Sequence, residues 1–65
     1  MFAHVGDRIV VEGARLGEHR RVGLVIAVDR VDGTPPYQVR WFDNDHTSLI
    51  FPGPEAHIEP ATAAR

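Results

Sequence analysis

Short runs of apolar residues, broken at close intervals by Gly, Pro and Asp, make up most of this 65-residue chain. Val and Ile dominate the runs, and their branched side chains favour extended backbone. No segment repeats apolar residues at helical spacing over three turns. The pattern therefore predicts an all-β domain of several short strands with tight connections.

The positions of these runs predict five strands, at residues 8–12, 21–31, 37–42, 46–51 and 57–59. The second strand is the longest and contains Gly23, which we expect to mark a bulge or a sharp bend. A single 3₁₀-type turn is expected before the last strand, where two prolines exclude extended pairing. Together these elements predict a small five-stranded SH3-like barrel over residues 1–60 and a frayed C-terminal tail at 61–65.

The third strand alternates between two faces. Its period of two places Tyr37, Val39 and Trp41 on one side, which we interpret as the core side. The favoured interpretation makes Trp41 and Phe51 core side chains. The alternative is an aromatic groove for a peptide, with Tyr37 at its rim and the tyrosine hydroxyl in water. In the following hairpin, Asn44 or Asp45 is expected to adopt a positive φ.

The composition narrows the possible functions. The chain has no cysteine, which excludes disulfides and thiolate chemistry. Seven basic residues, all arginine, oppose nine acidic ones for a net charge of −2. This balance lacks the basic footprint of a dedicated nucleic-acid binder. Since neither a signal peptide nor an apolar run of membrane-spanning length is present, we expect a cytoplasmic protein.

Metal binding and catalysis find little support in the sequence. The four histidines are scattered along the chain, without the short spacing that brings two ligands together, at His4, His19, His46 and His57. Asp43, Asp45 and His46 could imitate an acid–base cluster, but such residues are typical of a hairpin's polar tip. The motifs of nucleophilic catalysis and phosphate binding are missing from the sequence. We therefore expect no metal, no cofactor and no enzymatic activity.

Two segments carry a resemblance to a known family: "HVGDRIVVEG" near the start and "DGTPPYQVRWFDNDHTSLIFPGPEA" in the middle. With the arginine- and glycine-containing strand between them, they resemble the small actinobacterial proteins of a DUF1918-like family of unknown function. The resemblance spans residues 1–58 and implies an SH3-like barrel, but no activity and no site residues. Asp45 and Thr47 depart from the family pattern, which has glycine before the hairpin histidine and an acid after it.

These observations predict a non-enzymatic binding module for a protein partner. The candidate contact residues are the polar and aromatic side chains of the first loop, the third strand and the hairpin, namely Arg15, His19, Arg20, Arg21, Tyr37, Arg40, Asp43, Asp45 and His46. One alternative is a nucleic-acid-binding barrel that uses the Arg15–Arg21 loop, with Tyr37 as a stacking platform. Another is a self-associating structural or stress-related protein, a homodimer that buries an exposed strand. The simplest interpretation of the arginine cluster is pairing with Glu12 and Glu18.

Overall fold

A computed structural model of the chain describes residues 1–13 and 19–61. The described residues form one antiparallel sheet with the strands β1 (Arg8–Val11), β2 (Arg21–Val28), β3 (Tyr37–Trp41), β4 (Thr47–Ile50) and β5 (Ala56–Glu59). The strand order is β4-β3-β2-β1-β5, and no hydrogen-bonded pairing joins β4 to β5 in this part of the chain. The predicted all-β, five-stranded, barrel-like fold is confirmed.

The concave side of the sheet holds the core. Alternate residues of β3 are buried there, as the period of two predicts: Tyr37, Val39 and Trp41. Ile9 of β1 and Val25 of β2 pack against them with no exposed surface. The predicted core position of Trp41 is confirmed, since only 5% of its surface is accessible.

Gly23 has a different role from the predicted one. The register of β2 against β3 shifts between Val25 and Ala27, so the irregularity lies beyond the glycine. Gly23 pairs with Trp41, and a Cβ atom added there would overlap Val39 Cγ1 and lie 3.0 Å from Trp41 Cε3. Glycine is required at this position because core side chains occupy the space of a side chain.

The outward face of β4 carries apolar side chains, against the prediction. Tyr37 of β3 pairs with Ile50, which directs Ile50 towards the core and Leu49 away from it. Leu49 is 54% exposed and Phe51 is 74% exposed. The interpretation of Phe51 as a core residue is therefore wrong, because cross-strand register sets the facing of a strand.

Two predicted turns have the expected backbone. Asp45 has a φ of 61°, as expected for one of the two central hairpin residues, and its N–H donates to the Trp41 carbonyl at 2.8 Å. The turn before β5 is closed by the Ala56 N–H, which donates to the Gly53 carbonyl at 3.1 Å. That bond from residue i+3 to residue i is the one a single 3₁₀-type turn makes.

A buried carboxylate ties the two ends of the described chain to the sheet. Asp7 is 6% exposed and accepts the His4 N–H at 2.8 Å and the Ala61 N–H at 3.0 Å. The hydrogen bonds from Ala61 and His4 lower the pKa of Asp7, although burial opposes them. Ala61 belongs to the predicted tail, whose remaining residues lie outside the described ranges.

The outward face of β1 lies beside a group of charged side chains. Val10 has no exposed surface although it faces away from the main core, between Val22 of β2 and His57 of β5. Ionic contacts span this position: Arg20 lies 3.4 Å from Glu12 and 3.9 Å from Glu59. We call the group the Glu59 network; it consists of Arg8, Glu12, Arg20, His57 and Glu59.

Candidate functional site

The predicted contact residues do not converge on one site. His19, Arg21 and Asp43 line one cleft at the end of the barrel where β1 ends and β2 begins. Tyr37 lies at the opposite end of β3 from Asp43, and Arg20 joins the Glu59 network. Arg15 and Glu18 lie outside the described residues. The single surface expected from sequence is therefore divided among several parts of the fold.

Arg21 covers the edge of the core at this end of the barrel. It pairs with Val11, and Val11 packs against the core, so the arginine starts from an inward-facing position of β2. Its guanidinium carbon lies 4.2 Å from the centroid of the Trp41 ring. Stacking of this kind suits the planar, weakly hydrated guanidinium group. Arg21 thus closes the barrel over the only tryptophan of the chain.

Asp43 holds Arg21 in place. Its two carboxylate oxygens accept hydrogen bonds from Arg21 Nε at 2.9 Å and Nη2 at 3.1 Å. This bidentate contact is the geometrically specific form of the arginine–carboxylate pair. The hydrogen bonds from Arg21 lower the pKa of Asp43. The hairpin tip is therefore fixed to β2 by an ion pair that links residues 22 positions apart.

The cleft beside this pair has a volume of about 410 Å³ and mixed chemistry. Its apolar floor includes Val11, and three carboxylates surround it, from Glu12, Asp43 and Glu55. Two of these are already engaged, Glu12 by Arg20 and Asp43 by Arg21. Glu55 is the third acid of the cleft, and the described residues give it no cationic partner. We call this depression the Arg21 cleft.

Tyr37 is not a surface residue, which corrects its assignment as a contact residue. It has no exposed surface, and its hydroxyl donates to the Gly33 carbonyl at 2.7 Å. Burial raises the pKa of the Tyr37 hydroxyl. Tyr37 therefore forms neither the rim of an aromatic groove nor a stacking platform for a base. Its alternation with Val39 and Trp41 already placed it with the core.

The arginines of the described residues are all close to acids. Each lies within 4 Å of a carboxylate, as in the pairs Arg8–Glu59, Arg20–Glu12, Arg21–Asp43, Arg30–Asp32 and Arg40–Asp45. The predicted pairing of Arg20 with Glu12 is confirmed, whereas Arg21 pairs with Asp43. This arrangement weakens the positive potential that a phosphate backbone would need.

The hairpin tip is a polar surface. Arg40 Nη1 lies 3.8 Å from Asp45 Oδ1, with both side chains more than half exposed. An exposed pair at this distance contributes little to stability. The His46 N–H donates to Asn44 Oδ1 at 3.0 Å, and the His46 side chain is exposed. The geometry thus agrees with a polar tip at this turn.

A surface that the sequence argument missed lies at the other end of the barrel. Phe2 is 67% exposed, Val5 is 65% exposed and Val31 is fully exposed. They line a cleft of about 360 Å³ between the N-terminal segment and the β2–β3 connection. The Ala3 N–H holds the two walls together by donating to the Gly33 carbonyl at 2.9 Å. We call this area the Phe2 surface.

A signal for the Phe2 surface exists in the sequence. Phe2 and Val5 precede the first predicted strand, so neither has a sheet face on which to be buried. All three phenylalanines of the chain are exposed, at 58% or more, whereas the tyrosine and the tryptophan are buried. Exposed large apolar side chains gathered around a cleft are typical of interaction sites.

The described residues contain neither a potential metal-ligand group nor a membrane-spanning helix. Within 1–13 and 19–61, no three His, Asp or Glu side chains come together as a potential metal-ligand group. In the same residues, no helix is long and apolar enough to cross a membrane.

Comparison with known proteins identifies relatives of this chain. Residues 1–58 match the family described as "Domain of unknown function (DUF1918)". The uncharacterized protein Rv0569 of Mycobacterium tuberculosis is 44% identical over 61 residues, which cover 94% of this chain and 69% of that protein. The uncharacterized protein Rv2302 of the same species is 42% identical over 62 residues, or 95% and 78% of the two chains.

A solved structure is similar in fold. The solution structure of the conserved hypothetical protein Rv2302 from Mycobacterium tuberculosis matches with a TM-score of 0.64 and 41% sequence identity. The match covers 95% of this chain and 78% of that one. The resemblance expected from the segments in residues 4–13 and 32–56 is thereby confirmed.

Proposed function

This chain belongs to the DUF1918 family, and we propose that it is a non-enzymatic binding module that engages a partner protein. The observation that carries the proposal is the Phe2 surface, where Phe2, Val5 and Val31 are exposed around one cleft. Full burial of one such side chain is worth about 1.5–3 kcal/mol. A partner that covers the three therefore gains a large hydrophobic contribution.

The composition of the Phe2 surface supports a protein as its occupant. Its apolar centre is bordered by His4, Arg30 and Asp32, which gives the apolar core and polar rim of a protein interface. Arg30 and Asp32 are both tied to Thr34, so the rim is ordered before a partner arrives. An apolar side chain of the partner, flanked by polar groups, fits this arrangement.

The nucleic-acid alternative has less support. It used the Arg15–Arg21 loop, with Tyr37 as a stacking platform. Tyr37 is buried, and Arg20 and Arg21 lie beside carboxylates. The strand order β4-β3-β2-β1-β5 supports our assignment of an SH3-like barrel. We place the module in the cytoplasm, because a chain without cysteine forms no disulfides and gains nothing from an oxidising compartment.

Site-specific photo-crosslinking tests this function. A photoreactive residue at Val31 is expected to capture a protein from native lysate, while the same residue at exposed His57 captures none above background. The captured protein, once purified, should bind the Val31→Asp variant at least tenfold more weakly than the original chain. Leu49→Lys, an equally drastic change on β4, should leave this affinity unchanged.

Two outcomes would overturn the proposal. One is equal binding of the purified partner to the original chain and to Val31→Asp. The other is cross-linking at Val31 to nucleic acid without any protein, which would revive the nucleic-acid alternative.

A further inference from the structure

The outer edge of β4 presents backbone groups in a regular alternation. The Trp41 N–H donates to the His46 carbonyl at 2.9 Å, so His46 directs its backbone groups towards β3. Because directions alternate along an antiparallel strand, Ser48 and Ile50 also face β3. The N–H and C=O groups of Thr47, Leu49 and Phe51 then point to the open edge. Within residues 1–13 and 19–61, no backbone hydrogen bond of these three residues to another strand or loop is found.

Among the residues that the structure describes, this edge carries neither a charged side chain nor a covering segment, although β4 is only four residues long and Pro52 follows it closely. Natural edges are commonly guarded by charge, by inserted proline or by a covering segment. Between His46 and Pro52 the chain carries no acid and no arginine, and Thr47, Ser48 and Leu49 are all exposed. The next residue after β4, Phe51, adds an exposed aromatic ring. An exposed, uncharged edge with apolar side chains is a template for another strand.

We propose that β4 pairs with β4 of a second copy of this chain, antiparallel and about a two-fold axis at Leu49. This pairing goes beyond the proposed function, since it uses a different surface from the Phe2 surface. It places Leu49 opposite Leu49 of the second copy, and Thr47 opposite Phe51 of the second copy. The two sheets then join into one continuous sheet.

Backbone geometry selects this register. Thr47, Leu49 and Phe51 are the residues whose N–H and C=O groups face outwards, and Leu49 is their midpoint. An axis at Leu49 therefore places every outward-facing residue opposite another outward-facing residue, in three hydrogen-bonded pairs. A shift of the axis to Ser48 leaves Phe51 opposite Asp45, whose φ of 61° is incompatible with a strand. A shift to Ile50 leaves Thr47 opposite Gly53, beyond Pro52, and only two hydrogen-bonded pairs remain within the strand.

Side-chain facing agrees with the same register. Leu49 and Phe51 both lie on the convex face, and residues directly opposite each other in an antiparallel pair share a face. Leu49 would then touch Leu49 of the second copy directly and Phe51 of the second copy diagonally. Four apolar side chains, two from each copy, would form one patch. Thr47 is small enough to leave room for the opposite phenylalanine ring.

The charges near β4 allow a second copy as the occupant. Each copy has a net charge of −2, so a contact between copies must avoid facing acids. The acids that precede the strand are already paired, Asp43 with Arg21 and Asp45 with Arg40. At the other edge of the sheet, the charged side chains of the Glu59 network guard the strand. Pairing between copies therefore meets less charge at β4 than at β5.

Sedimentation equilibrium of the full chain over a wide concentration range tests the pairing. The weight-average molecular mass is expected to rise from that of a monomer to that of a dimer as the concentration increases. Leu49→Lys places two ammonium groups opposite each other and should raise the dissociation constant at least tenfold. Val31→Lys, an exposed apolar residue on the Phe2 surface, is the matched control and should leave the dissociation constant unchanged.

Amide hydrogen exchange separates strand pairing from simple hydrophobic contact. The amides of Thr47, Leu49 and Phe51 should become protected as concentration rises, whereas Ser48 and Ile50 should be protected at every concentration. Leu49→Pro removes the central outward-facing N–H without removing a bond to β3. Leu49→Pro should abolish association, and near-ultraviolet circular dichroism should show an intact fold. If this variant unfolds, Leu49→Lys supplies the test.

A monomer mass at every concentration would overturn the proposal. A dimer in which Thr47, Leu49 and Phe51 amides exchange freely would overturn it as well. So would capture of a strand from another protein at β4 in place of the second copy. None of these results bears on the Phe2 surface, since cross-linking at Val31 tests that surface separately.

Discussion

The two edge strands of the same sheet differ in the side chains that border their open edges. Along β5, Glu59 lies near Arg8 and Arg20, at 3.7 and 3.9 Å, and the adjacent strand β1 contains the buried residue Val10. Leu49 of β4 and Phe51, the residue after it, are exposed to solvent, and β4 contains no charged residue. The difference shows that the stabilising contacts lie on the β5 side of the sheet and the exposed apolar side chains on the β4 side. The β5 side is sealed, and the β4 side is available for contact.

Disruption of β2, the strand between these two sides, should have the largest effect. Gly23→Ala forces a methyl group against Val39 and Trp41, and we expect it to destabilise the fold by about 3 kcal/mol through overpacking. Urea denaturation followed by Trp41 fluorescence measures the change. Gly53→Ala is the control, because the nearest atom to its new methyl group is the flexible carboxylate of Glu55. Equal stability of the two variants would contradict the packing argument.

A pair of truncations compares the two sides directly. Val10→Ala removes two buried methyl groups on the β5 side and should lower the free energy of unfolding by about 2 kcal/mol. Leu49→Ala removes exposed methyl groups on the β4 side and should change it by less than about 0.5 kcal/mol. Chemical denaturation at low protein concentration keeps association from contributing. A larger loss for Leu49→Ala would reverse the assignment of the sealed side.

Asp7 strengthens the β5 side by holding Ala61, and its loss should be smaller. Asp7→Asn replaces one accepting oxygen with an amide donor, and we expect a cost of about 1.5 kcal/mol at neutral pH. Asp29→Asn, at an exposed site, is the control.

The same carboxylate predicts a pH dependence. Hydrogen bonds from Ala61 and His4 lower the folded-state pKa of Asp7 below its ordinary value of 3.8. The contribution of Asp7 to stability is therefore complete above that value and is lost as the pH falls through the lowered folded-state pKa. Asp7→Asn should flatten this part of the profile of unfolding free energy against pH. An unchanged profile would show that other carboxylates cause the acid sensitivity.

The smallest effect is expected from the Glu59 network itself. Glu59→Gln removes the acid shared by Arg8 and Arg20, and since these side chains are partly exposed the loss should be about 0.5 kcal/mol. The difference from the original chain should shrink in concentrated salt. If the difference persists at high salt, the carboxylate acts through packing over Val10 and not through charge.

The fold was largely predictable because its signals are local. Each strand lies within a few residues of its predicted range, and Asp45 takes the positive φ expected in the hairpin. The alternation in β3 correctly placed Val39 and Trp41 in the core. The same alternation placed Tyr37 on the core face, and the prediction of Tyr37 as a contact residue disregarded that alternation.

The remaining errors depend on information that one strand does not contain. The short pattern of β4 defines two faces, but only its pairing with β3 decides that Ile50 faces inwards and Phe51 outwards. The role of Gly23 depends on Trp41, 18 positions further along the chain. The Phe2 surface depends on the approach of the N-terminal segment to the β2–β3 connection. Such contacts are products of the whole fold.

The strand order also has a consequence for the order of folding. The strands β2, β3 and β4 form successive hairpins, whereas β1 pairs with β5 across 45 to 51 positions of the chain. Closing so long a loop costs chain entropy before any contact forms, so the β1–β5 pairing should come after the hairpins in the folding reaction. Substitutions at His57 or Glu59 should then accelerate unfolding and leave the folding rate nearly unchanged. The edge that is sealed in the finished sheet is the edge that folding completes last.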